Sequence, residues 1–180
     1  MPTFHHSYSD PGQLTQLAAR LAEHHVRVRR LVLSLCVLLG VDPTLDLLSA
    51  ASLHDVGRLA MLELSWRPGP LNEDEWRLMR HHPAISASIL EAAGWPGAAR
   101  IAALHHERWD GAGYPNGLAG ANIPLEARLL AAADMLAALI EPRPYRNRSC
   151  NPASELRRAA GSQLDPEIAQ AAVLLAENLR

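Results

Sequence analysis

Proline and glycine cut this chain into apolar segments of helical length, and none of those segments alternates with period 2. Asp10-Pro11 opens a long amphipathic stretch that runs to Leu39 and stops at Gly40. Asp42-Pro43 opens a second helix, which carries "LLSAASLHDVG" and ends near Gly57. A loop over 65–71 precedes Asn72, which with Glu75 three residues on forms a capping-box start. Pro83 leads "AISASILEAAG", closed by Gly94, and Pro96 starts "GAARIAALHHE". After a loop over 108–123, Pro124 starts the nearly all-apolar "LEARLLAAADMLAALIE". "PRPYRNRSCNP" reads as a linker, and Asp165-Pro166 caps a last helix to about Leu179. Proline suits the first helical turn and glycine the exit, so this punctuation predicts an all-α fold, a compact single-domain bundle of about seven helices. Residues 1–9 read as a flexible N-terminus and 10–180 as one domain. The chain holds only eight aromatic residues, so its core must come from Leu, Ala, Val and Ile.

Charge and cysteine usage narrow the function. A net charge of −2 gives no global attraction to DNA or to a membrane surface. The longest apolar run, "LVLSLCVLLG", falls short of the about 20 residues a bilayer demands. No charged start followed by an apolar stretch marks a signal peptide, so a soluble cytoplasmic protein is expected. Cys36 lies in an apolar run and reads as core, Cys150 as a loop thiol, with no disulfide between them.

Nine histidines form the unusual feature. Eight stand in doublets: His5-His6, His24-His25, His81-His82 and His105-His106. Doublet members on a helix point about 100° apart, so one of each pair is expected to face inward. His5 and His6 read as tail residues. His54 is followed by Asp55 at a helix C-terminus, and Asp134 lies inside "LLAAADMLAAL", where an unpaired carboxylate would be costly. Imidazoles and carboxylates without cysteine suit Fe, Mn, Zn, Co or Ni and not a structural zinc knot. The set exceeds what one ion needs. It suits two six-coordinate ions with Asp55 bridging, spaced about 3.5–4 Å apart as in phosphoester hydrolysis.

"HHERWDGAGYP", continuing through "NGLAGANIPLEARLLAAADMLAAL" to "RPYR", resembles the HD-GYP domain, a branch of the HD phosphohydrolase superfamily. Upstream, "HHVRV" is similar to its H-x-x-R-V element and selects His24 over His25. "LHDVG" is the HD pair, and "HHPAISASIL" selects His82 over His81, so His25 and His81 are expected to face outward. The resemblance covers about residues 20–147. It implies metal-dependent hydrolysis of cyclic di-GMP to pGpG, in some members to GMP, at a bi- or trinuclear centre, often of iron. Carried over by position, the metal ligands are His24, His54, Asp55, His82, His105, His106 and Asp134. His54 and Asp55 with Arg58 form the catalytic set, a hydroxide shared by two Fe2+ or Mn2+ ions being the nucleophile. Arg58, Arg143 and Arg146 are expected on the substrate phosphates, since arginine binds phosphate bidentately. Tyr114 is expected as a base-stacking platform, a lid, or part of a loop that docks GGDEF-type diguanylate cyclase domains. Glu107 and Asp110 are expected to orient the histidines.

The chain departs from the family pattern in places. Arg20 stands four residues before His24, where members with a third metal carry glutamate, which predicts two metals. Arg58 replaces the usual lysine in a chain whose 17 basic residues are all arginine. Ala137 replaces a second acid, and Ser86 stands where glycine is common. A catalytically weak or inactive module that binds cyclic di-GMP or a partner protein, and an HD phosphohydrolase acting on another nucleotide, are the alternatives.

Overall fold

The computed structural model describes residues 11–66, 69–141 and 151–179. The described residues form nine α-helices and two 3-10 helices, with no strand. They are α1 (Pro11–Leu39), α2 (Leu45–Leu53), α3 (Leu62–Trp66), α4 (Glu73–Met79), α5 (His82–Ala92), α6 (Pro96–Ala103), α7 (Leu125–Ile140), α8 (Pro152–Ala159) and α9 (Pro166–Asn178). The expected helices are all present; the five-residue α3 and the eight-residue α8 are added to them.

The punctuation works as expected at most boundaries. Gly40 and Gly94 take φ of 65° and 84°, the left-handed exit that favours glycine. Asn72 and Glu75 close a full capping box, 2.9 Å and 2.8 Å, at the start of α4. Asp165 accepts from the backbone N–H of Glu167 at 2.9 Å and so caps α9. Two boundaries of the second helix differ. It starts after Thr44, whose Oγ1 accepts from Leu47 N–H at 3.1 Å, and not at Asp42-Pro43. It also stops at Leu53 rather than Gly57, and the chain turns at His54-Asp55 into a 3-10 helix over Val56–Met61.

The long helix α1 packs along α7, α2 and α9. Its Val28, Val32 and Leu35 meet Leu47 of α2, Leu129, Leu130 and Leu136 of α7, and Val173 of α9, all fully buried. Each such side chain stabilises the fold by about 1.5–3 kcal/mol. Cys36 is buried in the same core and forms no disulfide. Small residues let helices approach closely. Gly97 of α6 lets the Asp46 side chain of α2 lie directly over its Cα, where a Cβ would push that carboxylate aside. No helix among the described residues is long and apolar enough to cross a membrane.

Candidate metal centre

The helix break after Leu53 has a chemical consequence. Neighbouring residues within a helix diverge by about 100°, whereas here His54 caps α2 and Asp55 lies in the turn, and both side chains enter one buried space. Gly57 holds this turn against α5. Its N–H donates to Ser86 Oγ at 2.9 Å, and a Cβ there would lie 2.5 Å from the His82 carbonyl oxygen. Ser86 is therefore a fastener between the turn and α5.

Around the turn, two rims converge. On one, His24 Nε2 of α1 lies 2.9 Å and His54 Nε2 3.7 Å from Oδ1 of Asp134 in α7. On the other, His82 Nε2 lies 3.0 Å and His105 Nε2 3.8 Å from Asp55 Oδ1. His106 Nε2 is 3.1 Å from His82 Nε2. His54 and His105 also share a donor cluster with Asp55, which joins the rims. All seven expected ligands thus face one space, although they come from five separate parts of the chain. His82 and His105 are held from behind, their Nδ1 atoms 2.7 Å and 2.6 Å from the carbonyl oxygens of Met79 and Ala102. Each anchor lies three residues back in sequence and leaves Nε2 aimed at the centre.

The electrostatics are those of a nest built for cations. Burial, reinforced by neighbouring imidazoles, pushes His105 well below its usual range; burial first pushes His106 down to about 4. Both are therefore neutral with lone pairs to offer. Burial opposes ionisation of Asp55, but His54, a hydrogen bond from His82 and the Arg58 guanidinium outweigh it and hold its carboxyl well below the carboxylate range. Asp134 is held down in the same way, against burial, by His24 and His54. His54 goes the other way: despite burial, the two carboxylates raise it. Both ring nitrogens of His54 and Nε2 of His105 are buried without a hydrogen-bond partner. Buried polar atoms are rarely left so. The donor set, O and N atoms only and within 4.8 Å of one another in three groups, fits divalent transition metals.

Arg58 closes one side. Its NH1 donates to Asp55 Oδ2 at 3.0 Å, and its Nε is buried without a partner. Tyr114 lies over the other side, its ring stacked on His106 at 5.0 Å with 27° between planes. Burial pushes its phenol up to about 12. The loop that carries it is held by two acids. Glu107 is buried and accepts from the N–H groups of Asn116 (2.7 Å) and Leu118 (3.0 Å). Asp110 accepts from Arg108 and from Ala112 N–H. The expectation that these two acids orient the histidines is corrected: they shape the loop. Gly113 is required because a Cβ there would meet the Arg108 nitrogen at 2.4 Å and the His106 oxygen at 2.6 Å.

One histidine departs from expectation. His81 faces outward, but His25 is buried, its ring 4.9 Å from that of His54, with Nε2 unpartnered and burial lowering it to about 3. The doublet rule fails because α1 is covered on two faces, by α7 and by the turn after α2. His25 belongs to none of the three donor groups. Ala137, in place of a second acid, is buried in the core. Arg143, Arg146, Cys150, His5 and His6 lie outside the described residues. Sequence reasoning missed Ser86 as a fastener and Arg80, whose guanidinium carbon stands 5.2 Å from the Tyr114 ring centre.

Residues 9–168 match the family model of the HD domain. Over 101 residues the chain is 46% identical to the cyclic di-GMP phosphodiesterase response regulator RpfG of Xanthomonas campestris, covering 54% of this chain and 27% of that protein. It is 36% identical over 128 residues to a 3′3′-cGAMP-specific phosphodiesterase of Vibrio cholerae, covering 68% of this chain and 24% of that one. The chain thus spans about a quarter of the length of these relatives. In fold it is similar to the HDG"Y"P protein of Bdellovibrio bacteriovorus, with a TM-score of 0.70 at 21% identity over 87% of this chain and 52% of that chain. The matched model, the shared helical fold and the ordered H…HD…H…HH…D motif together give one conclusion: the chain belongs to the HD-domain family.

Proposed function

We propose that this chain is a metal-dependent phosphodiesterase that hydrolyses cyclic di-GMP to pGpG, with further cleavage to GMP as a second turnover. The observation that carries the reading is the nest of imidazoles, three of their buried ring nitrogens without a partner, closed around two ionised carboxylates. His24, His54 and Asp134 would hold one ion, and His82, His105 and His106 the other, with Asp55 shared. Bound divalent metal, Fe2+ or Mn2+, supplies Lewis acidity and makes water a nucleophile at neutral pH.

The chain's own residues do the rest. Arg58 spends one NH1 hydrogen bond on Asp55 and keeps further donors for a phosphate oxygen. Arg143 and Arg146 add phosphate contacts in this reading. His106 is fixed between His82 and the Tyr114 ring, which shields its imidazole from water. The tip of the loop, Pro115 to Gly117, is exposed and is the surface through which a GGDEF-type cyclase domain would dock. A Vibrio cholerae relative is named as 3′3′-cGAMP-specific, which favours that dinucleotide as the second substrate to test.

Protein loaded anaerobically with Fe2+ or Mn2+ should convert cyclic di-GMP to pGpG, measured by chromatography beside elemental analysis. Metal-loaded protein that binds cyclic di-GMP and never releases pGpG would identify a binding module instead.

A further inference from the structure

Arg80 ends α4 one residue before the doublet that supplies His82. Its side chain is exposed and lies over the Tyr114 ring, 5.2 Å from guanidinium carbon to ring centre. Among the described residues no carboxylate lies within ion-pair distance of it. Tyr114 in turn lies on His106, so its ring links the Arg80 guanidinium to an imidazole of the nest. A cation braced on an aromatic plate is held in direction while its N–H donors stay unspent. On the proposed reading the substrate phosphates lie at the histidine nest, and Arg80, in contact with the Tyr114 ring that stacks on His106, stands beside that nest to meet another part of the bound dinucleotide.

The chemistry of that group follows from the fork. Guanine presents O6 and N7 as adjacent acceptors, which arginine binds bidentately; adenine replaces O6 with an amino donor. We infer that Arg80, braced on Tyr114, reads the O6/N7 edge of a guanine and selects guanine-containing cyclic dinucleotides. The inference rests on the proposed phosphodiesterase reading.

The test compares metal-loaded wild type, Arg80→Ala and Arg80→Lys on cyclic di-GMP, 3′3′-cGAMP and cyclic di-AMP, by kcat/KM and by equilibrium Kd. Arg80→Ala should lose ~10–100-fold in kcat/KM on cyclic di-GMP, mostly through KM, with little change on cyclic di-AMP. Arg80→Lys keeps the charge but not the fork and should fail to restore the preference. Metal content should be unchanged in both variants. An equal loss on all three dinucleotides, or rescue by lysine, would make Arg80 a general phosphate contact and overturn the inference. Unchanged discrimination in Arg80→Ala overturns it while leaving the phosphodiesterase reading intact. Wild type that neither binds nor cleaves any of the three removes that reading, and the inference with it.

Discussion

The histidine nest and the glycine-rich loop beside it are built on opposite rules. In the loop the acids and the Tyr114 amide are all partnered: Glu107 on two N–H groups, Asp110 on Arg108 and Ala112, Tyr114 N–H on the His106 carbonyl. In the nest, buried ring nitrogens stand without one. A loop rich in glycine thus serves as a fixed wall, while the rigid helix ends hold the unmet demand. Where a fold leaves demand unmet inside its interior, a ligand is expected to meet it.

The largest test of this contrast removes demand from the nest. Asp55→Ala or His54→Ala should abolish both metal content and turnover, read by elemental analysis and product release; a variant that keeps its metal would break the contrast. Glu107→Ala attacks the loop instead. It strands two backbone N–H groups and should lower stability by about 3 kcal/mol in denaturant unfolding, with metal retained at permissive temperature. Gly57→Ala drives a methyl into the His82 carbonyl oxygen and should cost about 1–3 kcal/mol together with weakened metal affinity. His25→Leu should be nearly neutral for stability and leave metal content unchanged, because its unpartnered Nε2 lies outside the donor groups. Loss of metal in that variant would enlarge the ligand set.

The metal-free protein should also report the nest through pH. His25 and His106 are depressed to about 3 and 4, so between those values and 6.5 the unfolded chain binds protons that the folded chain refuses. Their contribution lowers stability as pH falls from about 6.5 toward 4, and the depressed carboxylates extend the loss below that. His54, which is raised, opposes the trend. A melting temperature that rises on acidification through this window would contradict the assigned directions.

Most of the architecture was legible in the sequence because helix ends carry local chemistry. Gly40, Gly94, Asn72 and Asp165 act within a turn of where they stand. The start at Thr44 was hidden because Asp42, two residues earlier and followed by proline, has the chemistry of a cap itself, and the break after Leu53 because its cause is non-local: Gly57 pressed on α5. The ligand set was legible as a set through motif order. His25 was not, since its burial depends on a second surface packed against α1. Arg80 gave no signal either; a single arginine gains meaning only when a distant tyrosine lies under it.

The carbonyl anchors behind His82 and His105 carry one more consequence. Met79 ends α4, Ala102 lies in the last turn of α6, and His54 caps α2, so three helices finish at the nest. The carboxyl end of a helix bears roughly half a negative charge from its aligned peptide dipoles. Three such ends turned toward one point make an attractive field for cations that belongs to the main chain, and no single side-chain replacement can switch it off.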